Sequence, residues 1–324
     1  MMPVTPQYLS WKGNGFSLPL QDRVLIMGVL NVTPDSFSDG GRFVKRETAI
    51  ARAEEIQSEG ADMLDLGGES SRPGSTPVSE EEELSRILPV LRAVVKRVTI
   101  PISMDTTKAA IARQCLELGA CIINDISALR DDPCMASVVA DAGAGMILMH
   151  RQGEALTMQN DPCYTDVVRE IGDFLQTRLQ FAVAAGIAAE RIVLDPGIGF
   201  GKRIEHNLEI LKKLSVFHEL GRPIAVGPSR KGFLGSLLGR DVAEREWGTA
   251  ATVAAAVLQG AHIVRVHAVA QMKEVACVSW AIRQATVSAC VPKGGHDETR
   301  KVAGRAQAVR DGWHSRRGEY RTHH

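Results

Sequence analysis

Eight short apolar runs constrain the fold of this chain more than any other feature. They lie at residues 24–30, 62–67, 100–104, 121–124, 145–149, 192–194, 223–227 and 262–266. Short continuous apolar runs are typical of parallel strands that are covered on both faces. The segments between them have apolar residues at helical spacing, and most end at glycine or proline, as at 45–59, 80–97, 107–118, 165–185 and 203–219.

Regular alternation of eight strands with helices predicts the α/β class and a closed (β/α)8 TIM barrel. The usual length of such a barrel, about 250 residues, matches residues 24–284. A doubly wound open sheet is the alternative, but that fold rarely uses eight regular units. We therefore expect an N-terminal lead-in over 1–23, a single barrel domain over 24–284 and a tail over 285–324.

The charge of the tail differs from that of the predicted barrel. The tail has 8 lysines and arginines and 4 acidic residues, whereas the residues before it have 30 basic and 34 acidic ones. Because the tail also lacks apolar periodicity, we expect it to be basic and disordered. Nucleic-acid binding needs clustered positive charge, so we expect no nucleic-acid partner for the mildly acidic barrel.

Two further features concern location. No apolar run approaches the ~18 residues of a membrane helix, and no signal peptide opens the sequence. We therefore expect a cytoplasmic protein with no membrane partner.

The residues at the ends of the predicted strands carry the candidate chemistry, because TIM barrels place their sites at the carboxyl ends of the strands. Asp195 ends the sixth run, and Pro196 follows it immediately. Its carboxylate is placed to accept hydrogen bonds from a ligand, and capping of the next helix is the alternative. Asp105 and Asn124 hold the corresponding places after the third and fourth runs. Oxygen acceptors therefore recur around one end of the predicted barrel.

Cations and one amide occupy other strand ends. Arg265 and His267 lie two residues apart, so a strand's period of two places them on one face. We favour an anion such as phosphate as their partner over an internal ion pair. Arg72 and Lys231 are further candidates for contact with an anion or a carbonyl. The amide oxygen of Asn31 suits a hard cation such as Mg²⁺, with an Asx turn as the alternative.

Seven motifs follow the predicted strands in order. They are GVLNVTPDSFSDG at 28–40, DLGGESSRPG at 65–74, SMD at 103–105, INDIS at 123–127, DPGIGFGK at 195–202, SRK at 229–231 and RVH at 265–267. Together they resemble the dihydropteroate synthase family of pterin-binding barrels in folate biosynthesis. The resemblance implies a transferase that joins 6-hydroxymethyl-7,8-dihydropterin diphosphate to 4-aminobenzoate, giving 7,8-dihydropteroate and pyrophosphate with Mg²⁺ present. A pterin-binding methyltransferase is the alternative, but it should not need the last two motifs.

The resemblance also implies roles for individual residues. The pterin would be held by Asp105, Asn124, Met149, Asp195 and Lys231. The diphosphate would be bound by Asn31, Arg265 and His267, with Asn31 also at the metal. The aminobenzoate would be enclosed by Phe37, Ser71, Arg72, Pro73, Phe200 and Ser229, with Asp39 in the same first loop. Catalysis would depend on Asp39, Asp105 and Lys231.

Three residues depart from the family pattern. Ser71 stands where threonine is common, which removes a methyl contact to aminobenzoate or to a sulfonamide. Arg151 replaces a frequent methionine and is expected to add positive charge at the rim of the pterin pocket. Ala268 replaces an aspartate beside His267, so the protonation of that histidine is open.

Residues 249–258, TAATVAAAVL, are apolar nearly all round. A helix of this kind is usually buried on two sides. The family commonly pairs through its last barrel helices. We therefore expect a homodimer that forms there.

Overall fold

The computed structural model describes residues 10–33, 42–70, 74–154 and 156–285, without the side chains of 42–45. The strands are β1 Ser10–Gly13, β2 Phe16–Pro19, β3 Leu25–Asn31, β4 Met63–Gly67, β5 Ile102–Asp105, β6 Ile122–Asp125, β7 Gly145–Met149, β8 Ile192–Asp195, β9 Ala225–Val226 and β10 Ile263–Val266. The α-helices are α1 Arg42–Ser58, α2 Glu80–Val94, α3 Ala109–Glu117, α4 Met135–Ala142, α5 Val167–Ala184, α6 Ile204–Lys212, α7 Gly232–Leu238, α8 Glu246–Leu258 and α9 Val269–Gln284.

The strands from β3 to β10 form one parallel sheet in the order β8-β7-β6-β5-β4-β3-β10-β9. A parallel bridge between Leu194 and Ile224 joins the two edges, and the Leu194 amide donates to the Pro223 carbonyl at 3.0 Å. The sheet is therefore closed into a (β/α)8 barrel, as predicted. Each of the eight apolar runs overlaps one strand of this sheet.

The helices differ from the expectation in two places. The predicted helix over 203–219 is divided: α6 ends at Lys212, and tighter 3₁₀ turns follow over Leu214–Leu220. Two helices, α7 and α8, lie between β9 and β10, so the described part of the chain has nine α-helices instead of eight. None of the helices in the described residues is long and apolar enough to cross a membrane.

A hairpin of β1 and β2 closes the amino-terminal end of the barrel. Trp11 is fully buried, its ring meets Phe16 edge-on at 5.2 Å between centroids, and its Nε1 donates to the Arg191 carbonyl at 2.8 Å. The hairpin joins a core cluster that includes Leu25 and Ile263, the first residues of their strands. The residues of the hairpin belong to the predicted lead-in over 1–23, for which no strand was predicted from the sequence. The hairpin leaves the carboxyl ends of the strands as the open end of the barrel.

Candidate active site

The predicted pterin residues lie together at the carboxyl end of the barrel. A narrow cavity of about 20 Å³ is lined by Asp105, Asn124, Ile126, Met149, Asp195, Ile198, Phe200, Gly227, Lys231 and Arg265. All five residues assigned to the pterin by resemblance are on this list. Four of the five are buried, and Lys231 is half-buried, so the acceptor groups are largely withdrawn from water.

Asp195 is fixed by the turn that follows β8. Its Oδ1 accepts a hydrogen bond from the Gly197 amide at 2.7 Å, and its own carbonyl accepts one from the His150 amide at 2.9 Å. Gly197 has φ +71°, and a Cβ at this position would lie 1.9 Å from the His150 carbonyl oxygen. Only glycine fits this turn. Because α6 begins at Ile204, the carboxylate does not cap that helix.

A charged network lies beside this acid. Arg265 donates from Nε to Asp65 Oδ2 at 2.6 Å and from Nη2 to Asp105 Oδ2 at 2.8 Å. Asp65 Oδ2 also accepts from Asn124 Nδ2 at 3.1 Å, which leaves the amide oxygen of Asn124 to accept from a ligand. The sequence favoured an anionic partner for Arg265 over an internal ion pair, and the structure has the ion pair. Arg265 nevertheless also lines the larger cavity described below.

Asp65 is the member of this network whose role was not predicted from the sequence. It is fully buried in β4 and holds both Arg265 and Asn124. The available signal was an acid between two leucines inside an apolar strand. A buried carboxylate in such a place needs a partner from another strand, and the chain order alone does not show which strand supplies it.

Burial perturbs both central acids. Desolvation raises the pKa of Asp105 to about 7, against the opposing effect of Arg265. Desolvation also raises the pKa of Asp195 to about 6, while the hydrogen bond from the Gly197 amide and the charge of Lys231 work in the opposite direction. Burial alone would lower the pKa of Arg265, but Asp65 and Asp105 raise it, so the guanidinium stays charged. The two acids therefore change charge near neutral pH.

A larger cavity of about 560 Å³ adjoins the narrow one and shares Gly227, Lys231 and Arg265 with it. Asn31, Ser229 and His267 line this larger cavity. Ser229 Oγ and His267 Nδ1 lie 2.9 Å apart, and the His267 amide donates to the same oxygen at 3.3 Å. The structure thus brings together all three residues assigned to the diphosphate and places Ser229 beside them.

Phe200 and Lys231 meet at the boundary between the two cavities. Lys231 Nζ lies 3.8 Å from the centroid of the Phe200 ring, a cation–π contact. Gly199 has φ +84°, and a Cβ there would lie 2.9 Å from Lys231 Cδ. The glycine-rich turn after β8 therefore makes room for the lysine. The remaining assigned residues, Phe37, Asp39, Ser71, Arg72 and Pro73, lie outside the described residues.

Two departures from the family pattern have structural outcomes. Arg151 is buried and donates from Nη2 to both oxygens of Asp131 at 3.0 and 3.1 Å. Its charge is thus paired, and it adds no uncompensated positive charge. Ala268 directly precedes α9. The Nδ1 of His267 has the Ser229 hydroxyl as its hydrogen-bond partner.

The wall of the larger cavity contains a buried lysine, Lys202, for which the sequence predicted no individual role. Lys202 Nζ lies 2.9 Å from His150 Nδ1 and 2.9 Å from the Phe200 carbonyl. Desolvation, followed by the charge of Lys202, lowers the pKa of His150 to about 2, so its imidazole is neutral. The lysine therefore ties the end of β7 to the turn that carries Phe200.

Comparison with known proteins agrees with this geometry. A family model described as pterin binding enzyme matches residues 27–267. A dihydropteroate synthase from Synechocystis sp. is 46% identical over 262 residues, which are 80% of this chain and 91% of that protein. The chain belongs to the dihydropteroate synthase family. Members of this family are transferases, so the chain is an enzyme of that class.

Solved structures of dihydropteroate synthases have the same fold. A Yersinia pestis dihydropteroate synthase in a sulfonamide drug complex has a TM-score of 0.80 at 42% identity and covers 85% of this chain and 99% of its own. A Xanthomonas albilineans dihydropteroate synthase with 4-aminobenzoic acid has a TM-score of 0.80 at 41% identity, with 87% and 100% covered. The methyltransferase alternative finds no support among these relatives.

Proposed function

We propose that this site joins 6-hydroxymethyl-7,8-dihydropterin diphosphate to 4-aminobenzoate and releases pyrophosphate. The observation that carries the proposal is the convergence of Asp105, Asn124 and Asp195 on one narrow cavity. The donor-rich pyrimidine edge of a pterin matches these carboxylate and amide oxygens. The adjoining cavity, with Asn31 and His267, gives the diphosphate a place beside the ring.

Pterin entry requires a small rearrangement. The narrow cavity of about 20 Å³ holds about one water molecule, which is less than a pterin ring occupies. Phe200 and the half-buried Lys231 border the cavity and contact each other. The ring therefore displaces the Lys231–Phe200 contact as it enters. Lys231 is then positioned to donate to the pterin.

The diphosphate is assigned to Asn31, Arg265 and His267, with support from Ser229. Arg265 stays charged because two carboxylates surround it, and it borders the larger cavity. A charged donor strengthens hydrogen bonds to phosphate oxygens. Diphosphate binding then places a third anion beside a guanidinium already shared by Asp65 and Asp105.

The described residues fit a Mg²⁺ ion that is held largely by substrate. No group of three or more His, Cys, Asp or Glu side chains that could hold a metal ion is found among the described residues. Magnesium commonly binds through few protein ligands together with substrate phosphates and waters. Asn31 lines the larger cavity, and its amide oxygen is a suitable hard ligand. When bound there, the ion would neutralise charge on the diphosphate.

The reaction exchanges a carbon–oxygen bond for a carbon–nitrogen bond. The bond from the pterin methylene to the diphosphate breaks, and its electron pair leaves with pyrophosphate. The aminobenzoate nitrogen then forms the new bond and loses one proton. Positive charge that develops on the pterin is stabilised by the ionised form of Asp105, because a charge in this buried position acts strongly. Asp39 is assigned a supporting role from the resemblance alone.

Aminobenzoate is assigned to Phe200 and Ser229 together with Phe37, Ser71, Arg72 and Pro73. Both residues are buried: Phe200 lines the narrow cavity and Ser229 lines the larger one, so they flank the expected position of the methylene. The amine can approach the methylene only from a neighbouring subsite, because the narrow cavity is taken by the pterin. The Xanthomonas albilineans relative with 4-aminobenzoic acid supports this substrate class.

A direct assay tests the proposed function. Pyrophosphate release from the pterin diphosphate should require aminobenzoate, with equal amounts of pyrophosphate and dihydropteroate formed. Omission of aminobenzoate is the control for hydrolysis. Release at the same rate without aminobenzoate, or no release at all, would contradict the proposal.

We further propose a cytoplasmic homodimer that pairs through α8 and α9. Both helices expose apolar side chains: Trp247 is 88% exposed, Val278 60% and Ile282 64%. Residues 249–258 of α8 are not buried all round, because Ala251 and Leu258 are exposed. We call Trp247, Val278 and Ile282 the apolar stripe, and we expect a second copy of the chain to cover it.

A further inference from the structure

Asp65 differs from other buried acids of the barrel in the groups that it holds. Asp62 accepts a hydrogen bond from the Ile26 amide at 2.8 Å, and Asp125 accepts from two backbone amides at 2.7 Å each. Those two acids therefore stabilise the backbone. In the described part of the chain, the hydrogen bonds of the Asp65 carboxylate all come from side chains.

A single oxygen of Asp65 makes both contacts. Oδ2 accepts from Asn124 Nδ2 at 3.1 Å and from Arg265 Nε at 2.6 Å, while Oδ1 is buried with no hydrogen-bond partner among the described residues. Asn124 and Arg265 line the narrow cavity, whereas Asp65 is fully buried and is absent from the linings of both cavities. The hydrogen bonds of this carboxylate therefore all serve side chains of the candidate site.

The contact with Asp65 determines which way the Asn124 amide faces. A carboxylate accepts hydrogen bonds and does not donate them, so the group of Asn124 that faces it is the NH2 group. If the amide were turned around, its oxygen would meet the carboxylate, and two acceptors would face each other in a buried place. Asp65 therefore selects the orientation in which the amide oxygen of Asn124 is left for a ligand.

The neighbouring groups have supports of their own. Asp195 accepts from the Gly197 amide, and Arg265 donates to Asp105 as well as to Asp65. By contrast, the Asn124 side chain has no second hydrogen bond among the residues that the structure describes. Loss of Asp65 should therefore affect the Asn124 amide more than the rest of the site.

We propose that Asp65 is a positioning residue for the pterin: without touching the ligand, it holds the Asn124 amide so that the amide oxygen faces the pyrimidine edge. The inference rests on the proposed function, which assigns Asn124 to the pterin. It adds to ring recognition a residue from outside the cavity lining. Its effect falls on the ring and spares the diphosphate.

Asp65→Leu tests the inference in the full-length chain, because leucine has a similar branched shape and no acceptor. The first probe is 6-hydroxymethyl-7,8-dihydropterin, which has the ring and lacks the diphosphate. Its affinity in titration calorimetry should fall about tenfold, the effect of losing one hydrogen bond in a buried site. Affinity for inorganic pyrophosphate should not fall, because Arg265 keeps Asp105 as a partner and is shared by one carboxylate fewer.

Two further variants are matched controls. Asp65→Asn keeps an oxygen that can accept from Asn124, so its affinity for the ring should be closer to that of the wild type than to that of Asp65→Leu. Asp62→Asn changes a buried acid that directly precedes the same strand, β4, and binds the Ile26 amide. It should lower the melting temperature and leave both affinities unchanged.

A double variant shows whether Asp65 acts through Asn124. In the Asn124→Ala background, Asp65→Leu should weaken ring binding by no more than about twofold, because the amide that Asp65 orients is gone. A further loss of about tenfold in that background would show that Asp65 acts by another route, and would overturn its proposed role.

The remaining outcomes separate the two hypotheses. A wild-type chain that does not bind the dihydropterin would refute the proposed function. A wild type that binds it, together with unchanged ring affinity in Asp65→Leu or equal weakening of both ligands, would overturn the role of Asp65 alone. If Asp65→Leu does not fold, a crystal structure of the wild type with the dihydropterin decides. An Asn124 amide that keeps its hydrogen bond to Asp65 and turns its oxygen to the ring supports the role, and an amide turned away from Asp65 overturns it.

Discussion

Asp105 and Asp195 have different surroundings, although both end barrel strands. Asp195 accepts from a backbone amide in its own turn, whereas Asp105 forms an ion pair with Arg265. A carboxylate fixed by a turn is suited to hold the pterin in ground and transition states alike. In the proposed reaction, Asp105 is assigned to stabilise the positive charge that develops on the pterin, and Arg265 offsets its own negative charge.

This difference predicts distinct kinetic effects for two substitutions. Asp195→Asn should mainly weaken pterin diphosphate binding, because the amide presents a donor where an acceptor stood. Asp105→Asn should lower kcat more than it raises KM. Single-turnover kinetics with separately measured affinity would distinguish the two effects. Slow chemistry in Asp195→Asn at saturating substrate, with only an affinity change in Asp105→Asn, would reverse the assignment.

Asp195 also predicts a pH dependence. Burial raises its pKa from 3.8 to about 6, so the carboxylate that we propose binds the pterin becomes protonated as the pH falls below that value. Affinity for pterin diphosphate should therefore drop from about pH 7 to about pH 5 in the wild type. Titration calorimetry should show a smaller drop in Asp195→Asn. Equal pH profiles for the two chains would exclude Asp195 as the titrating group.

The raised pKa of Asp195 affects the stability of the fold in the opposite direction: stability falls as the pH rises. An acid whose pKa is raised on folding stabilises the folded state below its unfolded pKa, and this contribution is lost as the pH rises through the folded value. For Asp195 the window is 3.8 to about 6. As the pH rises through that window, ionisation of Asp195 should strengthen pterin binding and lower the free energy of unfolding.

At the scale of elements, the two ends of the barrel have different roles: one end is packed by the hairpin, and the other carries the candidate site. The hairpin of β1 and β2 packs against the first residues of the strands, and the candidate site lies at their last residues. Trp11 occupies the centre of the hairpin contact and is fully buried. Substitutions in the hairpin should therefore lower the free energy of unfolding without changing the KM values for the substrates.

Trp11→Ala is expected to destabilise the chain by about 3 to 5 kcal/mol, because it removes a large buried side chain and leaves a cavity. Denaturant unfolding measures this loss. Lys12→Ala, an exposed position in the same hairpin, is the matched control and should change stability by less than about 0.5 kcal/mol. A loss below about 1 kcal/mol for Trp11→Ala would show that the hairpin is not part of the core.

The strands and their polar ends could be predicted from the sequence because the signal is local. Each apolar run stands out from its neighbours, and an acid such as Asp195 at the end of a run is visible in the order of residues. The Asp65–Arg265 pair could not be predicted, because 200 residues separate its members. The hairpin was missed for a similar reason: the alternation of Trp11, Phe16 and Leu18 is short, and only contact with the closed barrel reveals what it covers.

At the scale of the whole molecule, the apolar stripe on α8 and α9 predicts self-association. Light scattering at micromolar concentration should give a dimer for the wild type. Ile282→Glu places a charge on the stripe and should shift the chain toward monomer, since burying an unpaired charge is costly. Val183→Glu, at an exposed apolar position in α5, should not. A monomeric wild type would remove the basis for the proposed dimer.

The assignment of substrates to the two cavities is tested most directly by a crystal structure with pterin diphosphate. We predict that the pyrimidine edge lies within about 3 Å of oxygens from Asp195 and Asn124, a normal hydrogen-bond length, with Lys231 moved away from Phe200. The diphosphate should lie against Asn31 and His267 in the larger cavity. A ligand bound elsewhere, or one turned so that its diphosphate faces Asp195, would contradict the account.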